Sequence, residues 1–257
     1  MSRASLDQLP DGSNAEAIAD YFWHLVGSTE SFPRQLERSI AMALPVTIVS
    51  LPSLTVSQIE DWLRERQVRC PINVTDRRLR ACIVAQGGHG VIFVDGADAE
   101  DERRFSVAHD AGHFLADYWL PRTAALLRLG DSIQPVLDGF RPPTVEERIN
   151  GLVTGLSLPT FSNLMGRDED GLADTRHTIL REDIADQVAL ELLAPRCDFE
   201  RLCSNSRIDR DAPDAVEQTT KLAVAAFGLP ARIATRLAER HRMRTQSLRS
   251  VRQILGM

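Results

Sequence analysis

The feature that most constrains this chain is a pair of histidines, His109 and His113, four residues apart in Arg103-Arg-Phe-Ser-Val-Ala-His-Asp-Ala-Gly-His-Phe-Leu-Ala-Asp-Tyr-Trp-Leu-Pro121. The apolar spacing predicts one helix, from about Ala99 to Leu120, that Pro121 stops because proline has no N–H for the next turn. At 3.6 residues per turn, positions i and i+4 share a face, so both imidazoles can grip one metal ion. Asp98 is expected to cap this helix, and Glu100, Asp101 and Glu102 favour its first turn. Phe105, Ala108, His109 and Gly112 line one face. Gly112 is either a tolerated glycine or the place where another backbone packs very closely.

The pattern His-Asp-x-x-His is one methylene from the zinc-binding signature His-Glu-x-x-His. A catalytic zinc takes three protein ligands and keeps a fourth position for water, so a third ligand has to come from elsewhere. Glu182 is the best candidate. It opens the amphipathic helix Glu182-Asp-Ile-Ala-Asp-Gln-Val-Ala-Leu-Glu-Leu-Leu-Ala-Pro195 and shares a face with Ala185, Ala189, Leu192 and Leu193. A carboxylate on an apolar stripe is costly to bury unless a cation compensates it. The alternative is that Glu182 emerges to solvent in the first turn and only favours the helix dipole.

At 257 residues the chain can bury a substantial core. No apolar run approaches the roughly 18–20 residues of a membrane span. Met1 to Asn14 lacks the apolar centre of a signal peptide. Cys70, Cys82, Cys197 and Cys203 form neither a disulfide framework nor a metal knuckle, which points to a cytoplasmic protein with reduced thiols. Net charge is −6, but from Ala231 onward seven arginines face only Glu239, leaving that tail at +6 and the remainder at −12. A basic tail can touch nucleic acid; without an accompanying recognition motif, a solvated helix end is the preferred reading, and nucleic acid is not expected as a partner.

Along the chain, residues 1–13 are expected to be disordered. Asn14–Val26 has helical spacing, with Ala15, Ile18, Ala19, Phe22 and Val26 inward. A second helix follows Ser31-Phe-Pro-Arg, with Leu36, Ile40, Ala41 and Leu44 inward. Pro45–Leu51 reads as a buried strand, and Thr55 or Ser57 caps the next helix. Leu79–Ala85 and Val91–Val94 form a hairpin about a glycine-rich turn, where His89 is expected to be exposed. Helices are expected over Ala124–Leu129 and Thr144–Leu156, the latter opening with the capping-box spacing Thr144-Val-Glu-Glu147. Asp168–His177 reads as a polar loop and Ser204–Asp214 as a linker. Helices follow over Ala215–Phe227 and Pro230–Arg242, with a third left open.

Arg104-Phe-Ser-Val-Ala-His-Asp-Ala-Gly-His113 resembles the Arg-Phe-Ser/Thr-x-Ala-His-Glu-x-Gly-His motif of the ImmA/IrrE metallopeptidases, which are zincins. Glu182 to Pro195 resembles their second motif, with Val188 in place of an aromatic. The likeness runs from Leu79 to Pro195. It implies an α+β fold: a zincin-like metallopeptidase core of a small antiparallel or mixed sheet and motif helices over 1–204, including a helical insertion at 122–180, with extra C-terminal helices over 205–257. It also implies a zinc ion held by His109, His113 and Glu182, with Asp110 in the place of the general base. Asp186, one turn after Glu182, fits an acceptor that fixes a ligand histidine's tautomer, or else is surface charge. Upstream strands in zincins offer an edge for an extended peptide, which gives Val91, Ile92, Phe93 and Val94 to substrate binding. The activity implied is endopeptidase cleavage of a protein such as a helix-turn-helix transcriptional repressor, in stress or mobile-element responses. The alternative is a catalytically weak zinc-binding regulator acting through protein contacts or, as the less favoured case, DNA contacts. Glu182 follows His113 by 69 positions, further than the family leads one to expect, so the insertion either roofs the cleft or decorates the fold. Oligomeric state is not legible.

Overall fold

The computed structural model describes residues 9–147, 161–166, 176–209 and 212–255, apart from positions 69, 71 and 73. The chain divides into two compact units, residues 1–29 with 35–191 and residues 30–34 with 192–257. The break thus falls after Glu191 rather than at the 204/205 boundary read from sequence.

The first unit is α+β. Its sheet has the order β1-β3-β2-β4, formed by β1 (Val46–Leu51), β2 (Leu79–Gln86), β3 (His89–Asp95) and β4 (Phe161–Gly166). β1 runs parallel to β3, and β2 is antiparallel to both β3 and β4. Gly87 and Gly88 make the β2–β3 turn at φ of +60° and +82°, a left-handed path that glycine follows without a side-chain clash. Cys82, Val84 and Phe93 face α3 (Val56–Glu65), packing with Ile59 and Leu63, while Trp62 meets Phe93 edge-on at 5.1 Å. Ala81, Ile83, Ala85, Ile92 and Val94 alternate with these and are also buried. α4 (Glu100–His113) packs against β2 and β3. A strand buried on both faces reads as a nearly continuous apolar run, as Leu79–Ala85 does.

Several local expectations need correction. Pro45–Leu51 is not a fully buried strand: β1 lies at the sheet edge and exposes Thr47 and Ser50. Val91–Val94 offer no edge for an added peptide, because β3 is hydrogen-bonded to β1 on one side and β2 on the other. Ala41 points outward from α2 (Leu36–Ala43), although Leu36, Ile40 and Leu44 are buried. The N-cap of α4 is Ala99 rather than Asp98, without a side-chain cap.

Nor does Pro121 stop the helix. After His113 the backbone widens into a π-helical turn, Phe114–Trp119, in which the Leu120 N–H reaches the Leu115 carbonyl, and it continues as α5 (Leu120–Leu129). Proline fits the first turn after such a reset, where its missing N–H interrupts no continuous i→i−4 ladder. α1 (Ala15–Val26) carries the expected Asn14 cap and buries Ile18 and Phe22. Thr55 caps α3 through a full capping box. A short helix α6 (Gln134–Leu137) closes a small cluster of Ala125, Ile133 and Leu137. The Thr144–Glu147 capping box forms, whereas residues 148–156 of that expected helix lie outside the described residues. So do residues 1–8 of the expected disordered start and 167–175 of the expected polar loop; Arg176 and His177 already belong to α7 (Arg176–Leu193).

The second unit holds α8 (Arg196–Asn205), α9 (Ala215–Phe227) and α10 (Ala231–Leu255). α8 was not expected, and it takes up the start of the supposed linker. α10 is one helix through the point where Arg242 was expected to end it. Gly228 in the left-handed conformation ends α9 and returns the chain into α10. Phe227 meets Phe32 at 4.8 Å and lies near Phe199, while the Arg34 guanidinium donates to the Leu192 carbonyl. No helix among the described residues is long and apolar enough to cross a membrane.

Candidate metal centre

Every residue of α4 from Arg104 to His113 is buried, so its polar groups are enclosed on all sides of the helix. That demands a compensating arrangement, since a buried polar atom without a partner costs on the order of 1–3 kcal/mol. α7 crosses α4 at Gly112, where an added Cβ would lie 3.0 Å from the Ala185 carbonyl oxygen and 3.2 Å from the Val188 Cβ. Glycine there lets the two backbones touch, which decides between the two readings of Gly112. The crossing brings Glu182 to the histidines.

The His109 and His113 rings stand edge-to-face, with centroids 4.8 Å apart. Each Nε2 faces a different oxygen of Glu182: His109 lies 3.3 Å from Oε2, and His113 lies 3.3 Å from Oε1. These three residues form a possible metal-binding triad, their ligand atoms all within 4.8 Å of one another. A tetrahedral ion with bonds of about 2.0–2.1 Å takes one atom from each ligand, roughly 3.3–3.4 Å apart, a separation that each imidazole meets toward one of the two Glu182 oxygens. Both far nitrogens are held. His109 Nδ1 lies 2.9 Å from Asp186 Oδ1, and His113 Nδ1 lies 2.7 Å from Asp117 Oδ2. An imidazole held this way donates its Nδ1 hydrogen and presents Nε2 as the lone pair.

The electrostatics favour positive charge on the imidazoles. Burial by itself lowers the His109 imidazole, but the hydrogen bonds of Asp186 and Glu182, with the Asp110 charge, push it up to about 10. His113 is raised likewise, burial being outweighed by Asp117 and Glu182. Burial would raise Glu182, yet the two imidazoles hold it well below the ordinary carboxylate range. Four carboxylates thus surround two histidines. Asp110 is fully buried, and neither carboxylate oxygen has a hydrogen-bond partner among the described residues. Burial pushes its carboxyl up to about 7, with Glu182 adding to the rise and the two histidines opposing it.

Sequence reasoning reached His109, Asp110, His113, Glu182 and Asp186, and the structure brings all five together. It missed Asp117, which lies one turn beyond His113 and was read only as part of the helix end; the i, i+4 spacing was the available signal. It also missed Arg181, whose Nε donates to the other Asp117 oxygen at 2.8 Å. Val91–Val94 remain in the sheet interior, and His89 is exposed, its ring turned back to the Gly87 carbonyl. Comparisons with models of known protein families, with characterised proteins and with solved structures return no match.

Proposed function

We propose that this chain is a zinc-dependent endopeptidase with a zincin-like core, of the ImmA/IrrE kind, in which His109, His113 and Glu182 hold the metal. The chief support is the convergence of one ligand atom each from His109, His113 and Glu182 to within 4.8 Å of one another, with both imidazole Nε2 atoms turned to the Glu182 carboxylate. Zinc bound there supplies Lewis acidity toward water and a peptide carbonyl. Asp110, a buried carboxyl between the two ligand histidines in sequence, is the proton carrier in this reading. Its reach is about 1.3–1.5 Å shorter than that of glutamate, and a misplacement near 1 Å costs on the order of 100-fold. Slow turnover is therefore expected. Asp186 and Asp117 hold the ligand imidazoles in the donating tautomer. A protein substrate, such as a helix-turn-helix repressor, follows from the family resemblance alone.

The short reach of Asp110 also favours a second reading, a catalytically weak zinc-binding regulator. Zinc content of the wild type, His109→Ala and Glu182→Ala tests what the two readings share: one equivalent is expected in the first and none in the others. Retention of zinc by both variants sinks the metal centre. A general endopeptidase assay then separates the readings. Asp110→Glu is expected to raise hydrolysis and Asp110→Asn to abolish it. If neither substitution alters a measurable activity, Asp110 is not the base.

A further inference from the structure

The two ligand histidines are not held in the same way. His109 leans on Asp186, which is 30% exposed and shows no arginine or lysine contact among the described residues. His113 leans on Asp117, which is only 13% exposed and meets Arg181 at 2.8 Å through its second oxygen. Arg181 immediately precedes Glu182 on α7, while Asp117 lies in the π-helical turn that follows His113. In an α-helix, position i+4 has rotated about 40° past position i. Asp117 lies one turn beyond His113 on the same helix face, with one oxygen on His113 and the other on Arg181 of α7.

We propose that Asp117 and Arg181 are a positioning pair for His113, which ties the second metal ligand to the helix that carries the third. This rests on the metal-centre reading above. Asp117 accepts the His113 Nδ1 hydrogen and so aims Nε2. Arg181 fixes the plane of Asp117 and at the same time anchors α7 beside Glu182. The chain thereby spans α4 and α7 twice at this point, once through His113 and Glu182 and once through Asp117 and Arg181. Arginine suits this task better than lysine because its planar guanidinium sets direction as well as charge.

The test is the zinc dissociation constant of the full chain, by competition with a chromophoric chelator, with far-ultraviolet circular dichroism as a check on folding. Asp117→Ala is expected to weaken zinc about 10–100-fold, the range found when a partner of a ligand histidine is removed. Asp117→Asn, which keeps the shape and an acceptor oxygen, and Arg181→Gln are each expected to weaken it about 10-fold, with partial recovery in Arg181→Lys. Because Arg181 acts through Asp117, the double variant Asp117→Ala, Arg181→Gln is expected to bind no more weakly than Asp117→Ala alone. The visible absorption of the cobalt-substituted protein should shift in the Asp117 and Arg181 variants, reporting an altered ligand field. Zinc binding within twofold of wild type in both Asp117→Asn and Arg181→Gln overturns the pair. Fully additive losses in the double variant overturn the claim that Arg181 works through Asp117. A wild-type chain that takes up no zinc overturns the metal centre itself, an outcome distinct from the other two.

Discussion

Helices α4 and α7 cross with His109, Asp110, His113 and Glu182 gathered at the contact, whereas α9 and α10 pack on buried residues such as Ala223, Phe227, Ile233, Ala234 and Ala238. The second pair sends its charge outward: Arg236 and Arg240 are exposed. Apolar side chains suffice to hold two helices together, whereas the first pair buries His109, Asp110 and His113 and leaves Glu182 half-buried beside them. Burying charge carries a penalty of several kcal/mol per ion, which a bound cation would offset. What separates the two crossings is the kind of group each keeps from water.

Three substitutions break or sharpen this contrast. The largest effect on stability is expected from Phe227→Ala, about 3–5 kcal/mol, because its ring is buried against Phe32 and Phe199. Denaturant unfolding followed by circular dichroism measures it, and zinc content should stay at the wild-type value. Loss of zinc in that variant would show that the two crossings are not independent. Gly112→Ala gains about 1 kcal/mol of helix propensity but meets a backbone carbonyl at 3.0 Å. A net loss of about 1–3 kcal/mol is expected, together with weaker zinc binding as α7 is pushed away. Stability and affinity both unchanged would mean that the close approach at Gly112 does not set the site. The smallest effect belongs to Arg236→Ala on the exposed face of α10, within about 0.5 kcal/mol of wild type and without effect on zinc. A larger change in either quantity would contradict its reading as a solvated arginine.

The candidate centre was legible where one helix carries its own periodicity. His109 and His113 were visible as an i, i+4 pair, and Glu182 stood out as a carboxylate on a stripe of alanine and leucine. What escaped was set by geometry that local pattern does not encode. Asp117 went unread because Pro121 suggested that the helix was ending, while the π-helical turn that carries it has no sequence signature of its own. Val91–Val94 were given to a peptide because a hairpin strand looks available until its neighbours are known. Only the parallel pairing of β1, more than 40 residues upstream in sequence, closes that edge. α8 was missed because Pro195 reads as a helix end, although it serves here as the N-cap of the next helix.

The contact of α7 with α4 at Gly112 has a consequence in polymer terms. His113 and Glu182 are 69 positions apart in the chain, and an ion held by both is a cross-link that closes that loop. Under the proposed metal reading, an ion bound there would add stability to the first unit that rises as the logarithm of free metal once its concentration exceeds the dissociation constant.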